Sequence, residues 1–206
     1  MTQERTSSSP KRRLESLSDL IFGLALSIGA LTLIGQAPSD LQSLLTSLIF
    51  YGFSFLILMR VWYAYSQIMA DLHVETRRAV FTNIGLLFLV SIEPYLFNQL
   101  LTSKIPTEYV SIIYALDLGG LFAIQAFLTS SILSDKNQPA NILYHYKLMT
   151  YTLVLSTAIF LFSILPFFWT LVIPINSNTE IPLRFILWTI PLLVIPVRRL
   201  FERNQK

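Results

Sequence analysis

The stretch R-L-E-S-L-S-D-L-I-F-G-L-A-L-S-I-G-A-L-T-L, from Arg13 to Leu33, decides how the rest of the chain is read. It opens with charge and continues as a nearly uncharged run. At about 100° per residue, Leu24, Ile28 and Leu31 fall on one helical face, at i, i+4 and i+7, with Ser27 on its flank. Gly23, Ala25, Ser27, Gly29 and Ala30 keep the remaining surface thin, and small residues let membrane helices approach closely. The run therefore reads as an inner helix, packed against others, with one bulky apolar stripe aimed at something particular.

The composition supports a membrane setting. Of 206 residues, 53% are apolar and 13% charged, about half the charge content of a soluble domain. Several apolar runs of about 20 residues are long enough to cross a hydrocarbon core of roughly 30 Å. The first is too long for a secretory signal and is followed by no small-residue cleavage site. The absence of cysteine excludes disulfides, thiol nucleophiles and thiolate metal sites.

Six spans are expected: about Leu17–Gly35, Leu41–Ala70, Ala79–Leu101, Tyr109–Leu133, Tyr146–Val172 and Leu183–Val197. Pro38 marks a turn, and Pro94 a kink or early end of the third. An even count puts both termini on one side. Twelve basic residues, among them Arg12, Arg13, Arg77, Arg78, Arg198 and Arg199, fall on that side, and only Lys104 and Arg184 on the other. The positive-inside rule makes the termini cytoplasmic.

Arg60, inside the second span, and Asp19, near the start of the first, are charges that need an explanation at membrane depth. Counted inward from the helix ends, they lie near enough in depth to pair. The plainer reading is that each reaches the inner interface. Glu93 and Asp117 stand toward the outer ends of their helices, where water is close. His73 and His145 fall in cytoplasmic links with no second metal ligand at suitable spacing. Trp169 and Trp188 suit interfacial anchoring.

The run R-L-E-S-L-S-D before an apolar helix resembles the signature of the transmembrane protein 175 family of potassium channels. Its pattern is Arg, three residues, then Phe-Ser-Asp. Arg13, Ser18 and Asp19 match, and Leu17 replaces the Phe. Ser54-Phe55 and Trp62 are spaced like the family's Ser-Phe and Trp, with Tyr65 and Ser66 where it often has His. Asn83 and L-L-F-L-V-S-I-E-P are similar to its third helix.

The resemblance implies an all-α membrane protein with six transmembrane helices, residues 13–200, between a disordered basic tail, residues 1–12, and a cytoplasmic tail, residues 201–206. It implies a homotetrameric, potassium-permeable channel in a prokaryotic cell membrane, with the first helix innermost around the pore and no re-entrant filter loop. Leu24, Ile28 and Leu31 would form the constriction, with Ser27 where the family often has Thr. Arg13, Ser18, Asp19, Trp62 and Asn83 would form a polar network supporting the first helix. The partners are potassium ions, the lipid bilayer and further copies of the chain, with no nucleic acid, cofactor or metal and no enzymatic activity.

The sequence has no T-V-G-Y-G filter and no helix with arginine at every third position. A secondary transporter should show an internal repeat around a mid-depth site, and none is visible. A non-conducting membrane assembly protein remains the other alternative.

Overall fold

The computed structural model describes residues 9–33, 41–72, 77–102, 105–134, 139–176 and 179–193. Among these, five helices are long and apolar enough to cross a membrane. They lie within α1 (Ser9–Thr32), α2 (Leu41–Asp71), α3 (Arg77–Thr102), α4 (Thr107–Leu133) and α5 (Ala140–Ser163). A short α6 (Phe167–Thr170), strands β1 (Val172–Asn176) and β2 (Thr179–Pro182), and α7 (Leu183–Leu187) follow. Helical, apolar residues continue to Leu193.

Prolines set several of these boundaries. Pro106, Pro139, Pro166 and Pro182 stand immediately before α4, α5, α6 and α7, each with φ between −50° and −57°. A locked φ suits helix entry, and the missing N–H has no partner to lose there. Pro139 is why α5 begins at Ala140 rather than Tyr146. Pro166 is why α5 ends at Ser163 rather than Val172, since the residue before a proline is pushed out of the helical region. Pro94 behaves differently. It lies inside α3, which continues to Thr102, so the Val90 carbonyl loses its usual partner.

Other boundaries also differ from the sequence reading. Helix α1 begins at Ser9, inside the stretch expected to be a disordered tail. The link after the fifth helix forms an antiparallel hairpin, with Ile173 opposite Ile181 and Pro174 opposite Glu180. Its β-branched residues favour extended backbone. Among the described residues, the regular structure is helical apart from this one small hairpin. The expected ends of the first span at Gly35 and of the sixth at Val197, with Pro38, His73 and Lys104, lie outside the described residues.

Helix α4 is the centre of the bundle and packs against α2, α3 and α5. Gly119 and Gly120 make this possible. A Cβ on Gly119 would meet Leu161 of α5 at 3.3 Å, and one on Gly120 would meet Leu89 of α3 at 3.0 Å. The two glycines thus let both neighbours approach closely. Phe122 of α4 stacks on Phe160 of α5, ring centres 5.7 Å apart, and both are buried. Helix α1 lies at the edge, packed on α2 and α3.

Candidate functional site

Helix α1 has two unlike faces. Phe22, Ala25 and Gly29 are buried toward the bundle, and a Cβ on Gly29 would touch the Tyr51 ring at 3.5 Å. Leu24, Ile28 and Leu31 point the other way and are 53%, 46% and 59% exposed. The apolar stripe is therefore turned away from its own chain. Ser27 is exposed beside it, and its hydroxyl donates to the Gly23 carbonyl at 2.8 Å. That bond uses its one hydrogen and leaves its lone pairs outward.

The start of α1 is tied to α2 by hydrogen bonds. Ser18 is buried and donates to the Leu14 carbonyl at 2.7 Å. Its single hydrogen is thereby used, so the Tyr65 hydroxyl donates to Ser18 at 2.6 Å. One residue on, Asp19 accepts from Trp62 Nε1 at 3.1 Å. Lys11 adds a bond to the Ala70 carbonyl at 3.0 Å. Asn83 of α3 is buried and faces Tyr65 without completing a hydrogen bond. Arg13 is exposed and stands outside this set. Ser18 and Asp19 of α1 are thus joined to Tyr65 and Trp62 of α2, Asn83 lies behind them, and Arg13 is separate. Tyr65 supplies the hydroxyl that completes the junction.

Arg60 neither snorkels nor pairs with Asp19. It is buried and points toward the far side of the bundle. It donates to the Pro191 carbonyl and to Ser156 Oγ, the latter at 2.9 Å, and lies over the Phe122 ring, 4.8 Å from its centre. Asp19 lies on the opposite side of α2, where Trp62 holds it. Residues two apart on a helix face different directions, which separates Arg60 from Trp62 and hence from Asp19.

Further expectations change. Glu93 and Asp117 are 0% and 5% exposed, so neither faces water. Glu93 Oε1 accepts from Ser54 of α2 and from the Tyr114 hydroxyl of α4, both at 2.8 Å, tying three helices at one atom. Glu93 Oε2 and both Asp117 carboxylate oxygens have no hydrogen-bond partner among the described residues. Trp188 is buried rather than interfacial and donates to Ser163 Oγ at 2.9 Å. Arg184 is also buried. It donates to the carbonyls of Ser163, Ile164 and Glu108 and to Ser111 Oγ, under the Trp169 ring. His145 lies within α5, its ring edge-on to Tyr146.

None of these departures leaves a signal in hydropathy. A local sign exists only for Glu93, whose neighbour Pro94 frees a carbonyl and marks a turn of α3 that needs partners from elsewhere. The arrangement is a bundle with a sealed polar seam inside and an apolar stripe outside. Among the described residues no three of His, Cys, Asp and Glu gather in a way that holds a metal ion.

Residues 13–94 match the family model described as endosomal/lysosomal potassium channel TMEM175. The match takes in the stripe, the Ser18–Tyr65 and Asp19–Trp62 bonds, Asn83 and Glu93. No curated protein and no solved structure matches the chain. From Arg13 through α2 to Pro94 of α3, the chain is similar to the TMEM175 potassium channel family.

Proposed function

We propose that the protein is a potassium-permeable cation channel built from four copies of the chain, with α1 of each copy lining a central pore. The observation that carries the reading is the stripe of Leu24, Ile28 and Leu31. It lies within the family match, half exposed, on a helix whose other face is fastened by Ser18 and Asp19. An apolar stripe turned from its own chain faces either lipid or other copies. The polar junction at the base of α1 fixes its rotation, which a helix free to roll in lipid does not need.

In this reading the four stripes form a ring that gates by dewetting, because an ion cannot shed its water where nothing replaces it. Ser27 supplies the lone oxygen ligand near the ring. Arg13, Ser18, Asp19, Trp62 and Asn83 support α1, with Tyr65 added to them. The residues after β2 complete a sixth span, which puts both termini in the cytoplasm of a prokaryotic cell with the chain in its plasma membrane.

The test is ion flux in liposomes holding the purified protein. Potassium flux is expected to exceed sodium flux, and Leu24→Ala and Ile28→Asn are expected to raise leak and narrow the difference. No flux above empty liposomes, from folded protein, would leave a non-conducting assembly protein or a transporter.

A further inference from the structure

The half of α2 that lies toward α1's end and α4's start packs differently from the rest of that helix. Buried residues on α2 begin only at Ser54, and none of residues 41–53 is buried. Behind that stretch is a cavity of about 680 Å³ between α2, the ends of α3 and α4, β2 and α7. Its floor is Phe53, Phe97, Tyr114 and Trp188, and Gln42 and Thr107 stand at its rim in the first turns of α2 and α4. Ile49 and Ile186 are exposed beside the opening, so it gives onto apolar surface.

The size and polarity select an occupant. The volume is within the roughly 300–1,000 Å³ of ligand sites. At roughly 30 Å³ each, about 20 waters would be needed to fill it, and each needs two to four polar partners. A lining that is mainly aromatic and aliphatic cannot supply them. From Gln42 to Phe53 is about 16 Å along α2. A single extended hydrocarbon chain does fit. The about 16 Å from rim to floor is close to the hydrocarbon depth of one leaflet, half of roughly 30 Å. The sparse polar groups at the rim lie at headgroup level.

We infer that this cavity takes one acyl chain of a bilayer lipid, entering between Ile49 and Ile186 and ending against Tyr114 and Trp188. The occupant seals a gap that the chain's own side chains leave between α2 and α7. Its end lies against the ring of Tyr114, whose hydroxyl holds Glu93. The inference depends on the chain's lying in a bilayer and not on ion conduction, so the two fail separately.

The test uses the full chain in nanodiscs of phosphatidylcholine doped with phosphatidylcholine carrying a diazirine near the methyl end of one acyl chain. After irradiation, adducts are mapped by mass spectrometry. Phe97, Tyr114 and Trp188 are buried and line the cavity. Adducts on them are expected, beside those on exposed Leu44 and Leu48. Leu101→Trp, which fills the cavity, should abolish the floor adducts and spare the surface ones. Ile186→Trp, at an exposed position, should do the same and guards against misfolding of the first variant. Adducts confined to exposed side chains, or floor adducts unchanged in both variants, would overturn the inference. Absent floor adducts together with a disulfide between copies of a Thr46→Cys variant would give the cavity to a second copy instead.

Discussion

Helices α1 and α4 are similarly apolar, yet they are used in opposite ways. Within their apolar windows, 22% of α1 is buried inside the chain against 56% of α4. Helix α4 is surrounded by α2, α3 and α5, and its glycines and stacked Phe122 are read by its own neighbours. Helix α1 is fastened along one side and leaves a regular apolar stripe half exposed, with no partner among the described residues. Apolarity marks a membrane helix, but it does not say whether packing energy is found inside the subunit or outside it. That difference separates a helix that holds the fold from one that is available for function.

The comparison is broken most severely at α4. Phe122→Ala removes a buried ring between Phe160 and Arg60, and unfolding in detergent should show a loss of about 3–5 kcal/mol. A loss under about 1 kcal/mol would mean that α4 is not the core. Next is the α1 junction. Tyr65→Phe deletes the hydroxyl that donates to buried Ser18, and the same measurement should show about 1–2 kcal/mol, with altered flux as α1 loosens. Unchanged flux would detach the junction from the pore. The smallest stability effect belongs to the stripe. Leu24→Ala should change unfolding by less than about 0.5 kcal/mol while changing ion flux. Stability loss with unchanged flux would assign the stripe to packing.

The sequence carries the architecture better than the interior. Five long helices are visible because length and hydropathy are properties of a segment, although Pro139 starts the fifth at Ala140, ahead of the expected Tyr146. The stripe of Leu24, Ile28 and Leu31 is visible because its direction follows from helical period alone. Ser18, Asp19 and Trp62 are picked out by resemblance, and two of their three bonds reach residues on α2 that period alone does not match to them. What is not legible is the direction of long polar side chains. Arg60, Arg184 and Trp188 each suit an interface by composition, but their partners are carbonyls and hydroxyls on distant helices. Those partners exist only after the helices pack, and a free carbonyl has no signature in sequence. Glu93 is hidden for the same reason, since Ser54 and Tyr114 meet it from two other helices. The stretch after α5 shows how Pro166 ends a span that hydropathy would extend, and how a β-branched run then turns into a hairpin.

Arg184 also bears on how the chain is made. Every group it binds, at Glu108, Ser111, Ser163 and Ile164, precedes it in the sequence. As the chain emerges, the last carbonyls of α5 therefore enter the membrane before their donor has been synthesised, and unpaired carbonyls there are costly. The closing of this end of the bundle is thus timed by translation. A nascent chain halted before Arg184 would present an α5 end whose last carbonyls lack this donor.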